Sequence, residues 1–165
     1  MMSSLTLKNF PPALRVACTC LILTILCGYA VAILQVYSRS HFDMQKTVQY
    51  YRGDESGDPD NVLLPQNFTT ILSVTHVHTL SQPLMFGAIA LIFAFSAMNE
   101  KRKAFWIITF FLGSFLSNLS PWLVRYVSAQ WVYLFPTSQI MIASGILTMS
   151  LSSLKEMWCR KQKTV

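Results

Sequence analysis

Charge is the scarcest commodity in this sequence. Acidic and basic residues together make up 12% of 165 residues, about half of the roughly 25% found in water-soluble domains. Four long apolar stretches carry no Asp or Glu at all, which argues against a proton-coupled pump or transporter that needs an intramembrane carboxylate. The chain also lacks Gly-x-Ser-x-Gly, His-Glu-x-x-His and any glycine-rich phosphate loop, so no hydrolase, metalloprotease or nucleotide-binding signature is present. Cysteine is missing from the long polar segment at 38–68, where an oxidising compartment would favour disulfides. Histidine is missing from the first, third and fourth apolar stretches. A separate soluble catalytic domain is excluded by length, because four stretches of ~20 residues each already take up more than half of the chain. Nor do the halves repeat one another, as the halves of secondary transporters do.

What is present is hydrophobic: 53% of the residues are apolar. The pattern predicts an all-α integral membrane four-helix bundle, a single membrane domain over 1–165, with spans at about 13–37, 69–98, 104–126 and 131–154. The first span follows Lys8 and Arg15 but ends in Gln35-Val36-Tyr37 rather than a short small-residue cleavage site, so it reads as a retained anchor. Cys18 and Cys20 are two residues apart, which places them on different helix faces and leaves them as small buried residues rather than a metal pair.

Basic residues sort by side. Lys8, Arg15, Lys101, Arg102, Lys103, Lys155, Arg160, Lys161 and Lys163 share one side, against Arg39, Lys46, Arg52 and Arg125 on the other. The positive-inside rule then puts both termini in the cytoplasm and the 38–68 loop outside. The net charge of +6 is a topology signal and not a nucleic-acid footprint, for the basic residues have neither aromatic interleaving nor a folded platform. Lipid is the expected environment, with anionic headgroups near the C-terminal cluster.

Within the outer loop, Met44, Val48 and Tyr51 recur at helical spacing before Gly53, predicting a short amphipathic helix with a glycine C-cap. The following acidic stretch to Asn61 reads as a solvated turn without EF-hand spacing. Asn67-Phe68-Thr69 fits a glycosylation acceptor only in a eukaryotic lumen.

The second span is the richest in chemistry: Thr75-His76-Val77-His78 and Gln82-Pro83 lie toward its outer end. Pro83 is expected to kink the helix below the histidines. His76, Leu80, Pro83, Gly87, Ala90, Ala94 and Ala97 form a stripe that becomes small toward its inner half, the pattern of close helix packing. On that criterion His76 faces the bundle interior, and His78 lies roughly opposite with Gln82, Met85 and Ile89. The third span carries Ser114, Asn118, Pro121 and Arg125 on one stripe, so an outer-face cluster of His76, Asn118, Arg125 and loop Arg52 is expected, with His78 nearby. Arg125 has an alternative among the interfacial aromatics Trp122, Tyr126, Trp131 and Tyr133, where arginines snorkel. His41, Asp43, His76 and His78 are sensible ligands for copper or zinc, although two histidines at i, i+2 cannot both reach one ion from a regular helix. Haem would need His76 or His78 together with His41 or a Met, since no other span supplies a histidine.

The run Tyr50-Tyr51-Arg52-Gly53, then Phe68, Thr75-His76-x-His78 with Pro83, and Ser120-Pro121-Trp122-Leu123-x-Arg125-Tyr126 resembles a family of small bacterial four-span inner-membrane proteins. The resemblance implies a bacterial inner membrane and one outer-face site holding Arg52, His76, His78 and Arg125, and carries no established activity. The expected function is a non-catalytic subunit of an inner-membrane assembly in electron transfer or metal handling, presenting that site to a haem, quinone, metal or periplasmic partner subunit. The alternative is a stand-alone membrane enzyme or ligand-binding sensor whose outer loop closes over the site.

Overall fold

A computed structural model describes residues 6–54 and 63–159. The described residues are helical, with no strand: α1 (Pro12–Ser40), α2 (Met44–Arg52), α3 (Phe68–Ala94), α4 (Glu100–Tyr126) and α5 (Leu134–Trp158), plus short 3-10 turns at Leu7–Asn9 and Ala129–Tyr133. Four of the helices, all but α2, are long and apolar enough to cross a membrane, and together they form the expected bundle. The acidic turn after Gly53 falls mostly on 55–62, and Arg160, Lys161 and Lys163 follow 159, so these lie outside the described residues.

The connection from α1 to α2 reverses through two residues with left-handed backbone, His41 (φ 52°) and Phe42 (φ 60°). Asp43 then caps α2 by accepting from the backbone N–H groups of Gln45 and Lys46 at 2.7 and 3.2 Å, satisfying donors that a helix start leaves free. Gly53 ends α2 with φ 87°, and an added Cβ would lie 2.8 Å from the Leu63 carbonyl oxygen, so only glycine fits there. The short amphipathic helix expected after the first span is thus present. Asn67 of the glycosylation triplet is the N-cap of α3, its Oδ1 accepting from Thr70 N–H at 2.7 Å.

The bundle has a solid half and a hollow half. At the end holding the start of α1, the α3–α4 turn and the end of α5, Leu7 N–H donates to Phe95 O at 3.1 Å and Glu156 accepts from Ala97 N–H at 2.8 Å. Lys103 is buried there and donates to the carbonyls of Ala94 and Ser96 at 2.9 and 3.2 Å while pairing with Glu100. A cation on the free carbonyls of a helix C-terminus is the favourable arrangement. Above this end lies the core, in which Phe86, Ile89 and Phe93 of α3 meet Phe110 of α4 and Ile142, Ile146 and Met149 of α5.

Close packing belongs to α4 and α5. A Cβ at Gly113 would come 2.8 Å from Met141 Cβ, and one at Gly145 would come 2.9 Å from Phe110 Cβ. The small stripe of α3 does not play that part: a Cβ at Gly87 would meet nothing within 4 Å, and Leu80 and Leu84 beside it are 59% and 78% exposed. This overturns the expectation that Gly87, Ala90 and Ala94 seat another helix tightly. Of the three, Ala90 alone is buried. α3 buries its bulky residues instead, because the helix opposite offers aromatic rings to fill.

Candidate functional site

Toward the α2 end the core gives way to a cavity of about 460 Å³, walled by all four spans and roofed by Tyr51 of α2. Its walls are mostly apolar but carry polar side chains and no carboxylate: Tyr29 and Gln35 come from α1, Thr75, His78 and Gln82 from α3, Ser117 and Asn118 from α4, and Gln139 from α5. Arg39, at the rim, is its one charged residue. The volume is within the range of small-molecule sites.

The deepest polar group is a trio. Gln82 Oε1 accepts from both Ser114 Oγ at 2.7 Å and Asn118 Nδ2 at 2.8 Å, and Asn118 also donates to Ser114 O at 3.0 Å. Gln82 lies near the centre of α3, Phe68–Ala94, and Ser114 near the centre of α4, Glu100–Tyr126, so the trio sits near the middle of a spanned bilayer. Amide groups at that depth need partners. On the α5 side, Gln139 Nε2 donates to Ser117 Oγ at 3.2 Å, and Tyr29 donates its phenol to Gln139 O at 3.4 Å. Among the described residues, Gln82 Nε2, Asn118 Oδ1, Gln139 Oε1 and both His78 ring nitrogens have no protein partner. The cavity therefore offers unused donors and acceptors on facing walls. Pro121, on its α4 wall, has no N–H for the Ser117 carbonyl and frees one more acceptor.

At the mouth, Tyr51 stacks on Phe135 with ring centroids 5.5 Å apart and 15° between planes. Arg39 lies 5.7 Å over the ring of Tyr50. Burial, with a smaller contribution from neighbouring Tyr50 and opposed by Arg39, pushes the Tyr51 phenol up to about 12. The roof is thus neutral and apolar at physiological pH.

The expected site residues divide into two groups. His78 and Asn118 line the cavity. His76 does not: both histidines are exposed, but His76 lies in line with exposed Leu80 while His78 borders the cavity with Gln82 and Met85, which corrects the assignment of His76 to the interior and of His78 to the opposite face. Arg52 and Arg125 do converge on one place, but each is used on backbone. Arg52 Nη1 donates to Val124 O in the last turn of α4 at 3.2 Å, and Arg125 Nε donates to Gln66 O at 3.0 Å. They pin α2 and the segment before α3 to the end of α4 rather than meeting His76. Arg125 also lies 5.5 Å over the Tyr126 ring, and Trp122 Nε1 donates to Thr75 Oγ1 at 2.9 Å, so the interfacial aromatics are woven into the same end. His41, with left-handed backbone, packs at a tilt against Tyr37 with centroids 5.0 Å apart. Among the described residues no three His, Cys, Asp or Glu side chains come together as metal ligands, so His41, His76 and His78 are not gathered around one point.

Gln35, Arg39, Tyr29, Tyr51, Gln82, Ser117 and Gln139 were not singled out as site residues from the sequence. One signal was available. Gln82 in mid-span must be satisfied by a polar group on a neighbouring helix, and the Ser114, Asn118 stripe was the evident partner. That pairing fixes the rotation of α3 and turns His78, four residues before Gln82, inward.

No curated protein and no solved structure matches the chain. A family model described as a transmembrane helical domain matches residues 41–164, a stretch from the turn before α2 through α5 that makes up most of the chain. The chain belongs to this family of transmembrane helical domains.

Proposed function

We propose that this protein is a bacterial inner-membrane protein, a single membrane domain that holds a small ligand inside its helical bundle, with both termini in the cytoplasm and α2 on the outer face. The observation that carries the reading is the cavity of about 460 Å³ to which all four spans contribute hydrogen-bonding side chains left partly unused. Neutral polar groups at mid-span are expensive to bury in lipid and stay where they serve packing or function. Here the trio is only half satisfied by the protein. Orientation follows from nine basic residues on the side of the termini against four on the side of α2. In this reading α2 covers the cavity and Arg52 and Arg125 hold that cover in place.

Extraction in mild detergent followed by mass spectrometry of released small molecules tests it. A molecule retained by the native protein and missing from Gly28→Leu is the expected result, because Gly28 lines the cavity and a Cβ there meets nothing within 4 Å. Identical small-molecule content in both proteins would refute it.

A second reading keeps the chain as a non-catalytic subunit of a redox assembly. It is favoured by the outward face of α3, where His76 is exposed and Gly87 has open space above it. Small residues there admit a neighbouring helix. Foreign subunits migrating with the protein in the same extract would support it, and a homogeneous preparation of this chain alone would count against it.

A further inference from the structure

A second hollow adjoins the cavity. This groove of about 330 Å³ lies at the α2 end between α1 and α5, and Val36, Arg39, Tyr51, Phe135 and Gln139 line both spaces. Its remaining walls are mostly apolar, including Phe42, Met44, Pro136 and Ile140. We propose that the two hollows together receive a quinone-type amphiphile, its neutral ring among the polar groups of the cavity and its apolar tail in the groove, admitted sideways from the outer leaflet between α1 and α5. This rests on the ligand-holding reading above and names the class of ligand.

Depth and charge select the headgroup. The polar trio lies near the bilayer centre, where a phosphate or ammonium headgroup is costly without a paired charge. The cavity supplies one cation, Arg39, near the end of α1, and no anion. The polar part of the ligand is therefore neutral. The free groups include donors, Gln82 Nε2 and one His78 N–H, and acceptors, Asn118 Oδ1, Gln139 Oε1 and the other His78 nitrogen. They come from α3, α4 and α5, so they address more than one edge of a flat molecule. A ring with an oxygen at each of two edges meets them as carbonyl or hydroxyl, whereas a simple long-chain alcohol meets one wall only. The residues common to both hollows make the path continuous, and the Tyr51–Phe135 stack stands where ring and tail would join.

The test uses the full-length protein in phosphatidylcholine nanodiscs, labelled with a decyl-tailed azidoquinone and mapped by mass spectrometry. Labels on α3 or α4 around Gln82 and Asn118, displaced by decylubiquinone and unaffected by phosphatidylglycerol, are expected. Gly28→Leu, which fills the cavity, should weaken labelling about tenfold. Ile140→Trp, which fills the groove, should weaken competition by decylubiquinone while leaving competition by tail-less ubiquinone-0 as in the native protein. Displacement by phosphatidylglycerol instead would assign the cavity to a lipid headgroup and overturn the quinone while leaving a ligand-holding cavity. Label confined to surfaces away from the cavity, with no effect of Gly28→Leu, would overturn the quinone too. In that case the small-molecule content of native and Gly28→Leu proteins decides separately whether the cavity holds anything else.

Discussion

Gln82 is the residue on which the site turns, because its single carbonyl oxygen serves two donors from α4. Gln82→Leu would strand Ser114 Oγ and leave Asn118 Nδ2 with only its bond to Ser114 O. Interhelical hydrogen bonds in membranes are worth about 0.6–2 kcal/mol, so the variant should lose on the order of 1 kcal/mol in reversible unfolding from mixed micelles. Adding Asn118→Leu should return part of the loss, since removing both partners is gentler than orphaning one; a double variant worse than the sum would contradict the trio. Tyr51 makes a prediction with a definite sign. Its phenol stays protonated to about 12 in the folded protein against an ordinary value of 10.0. The stabilisation this represents is complete below pH 10 and lost as pH climbs through 12. Tyrosinate absorbance should therefore show a late-titrating component that Tyr51→Phe diminishes by one group. A native titration in which every tyrosine ionises near 10 would place Tyr51 in water.

At the scale of elements, the pair α4–α5 carries the tight packing and α3 does not. Gly113→Ala and Gly145→Ala each put a Cβ closer than 3.0 Å to Met141 or Phe110, so each should destabilise the bundle, by about 1–3 kcal/mol in the same unfolding assay. Gly87→Leu should be nearly silent in the isolated protein, and a large loss there would restore the small stripe of α3 as a packing face. The existence of four long apolar helices and of the short helix ending at Gly53 was legible in the sequence from hydropathy and helical spacing, whereas the end of α3 falls at Ala94 rather than at 98. The rotation of α3 was not legible. Small residues signal close approach only when the facing helix presents backbone or other small residues, and here α4 presents Phe110, so Phe86, Ile89 and Phe93 of α3 turn inward instead. The histidine assignment followed the wrong stripe for that reason.

As a whole, the molecule is packed toward its termini and hollow toward α2. Ile22 and Ile25 of α1 are buried, whereas between Leu26 and Arg39 no residue of α1 is, so the second half of α1 is a cavity wall rather than a core element. With the basic residues concentrated at the packed end, reporter fusions after residue 57 should report the outer side and those after 102 or 163 the cytoplasm. An outer-side signal after 163 would reverse the topology. Spin labelling on α3 tests most directly the claim that joins these scales, that this helix turns its polar face inward at His78. The measurement uses His76→Cys and His78→Cys in a chain whose four native cysteines are replaced by alanine. The label at 76 should collide freely with lipid-dissolved oxygen and that at 78 should be shielded from it. A shielded label at 76 with a lipid-exposed one at 78 would contradict the cavity and everything assigned to it.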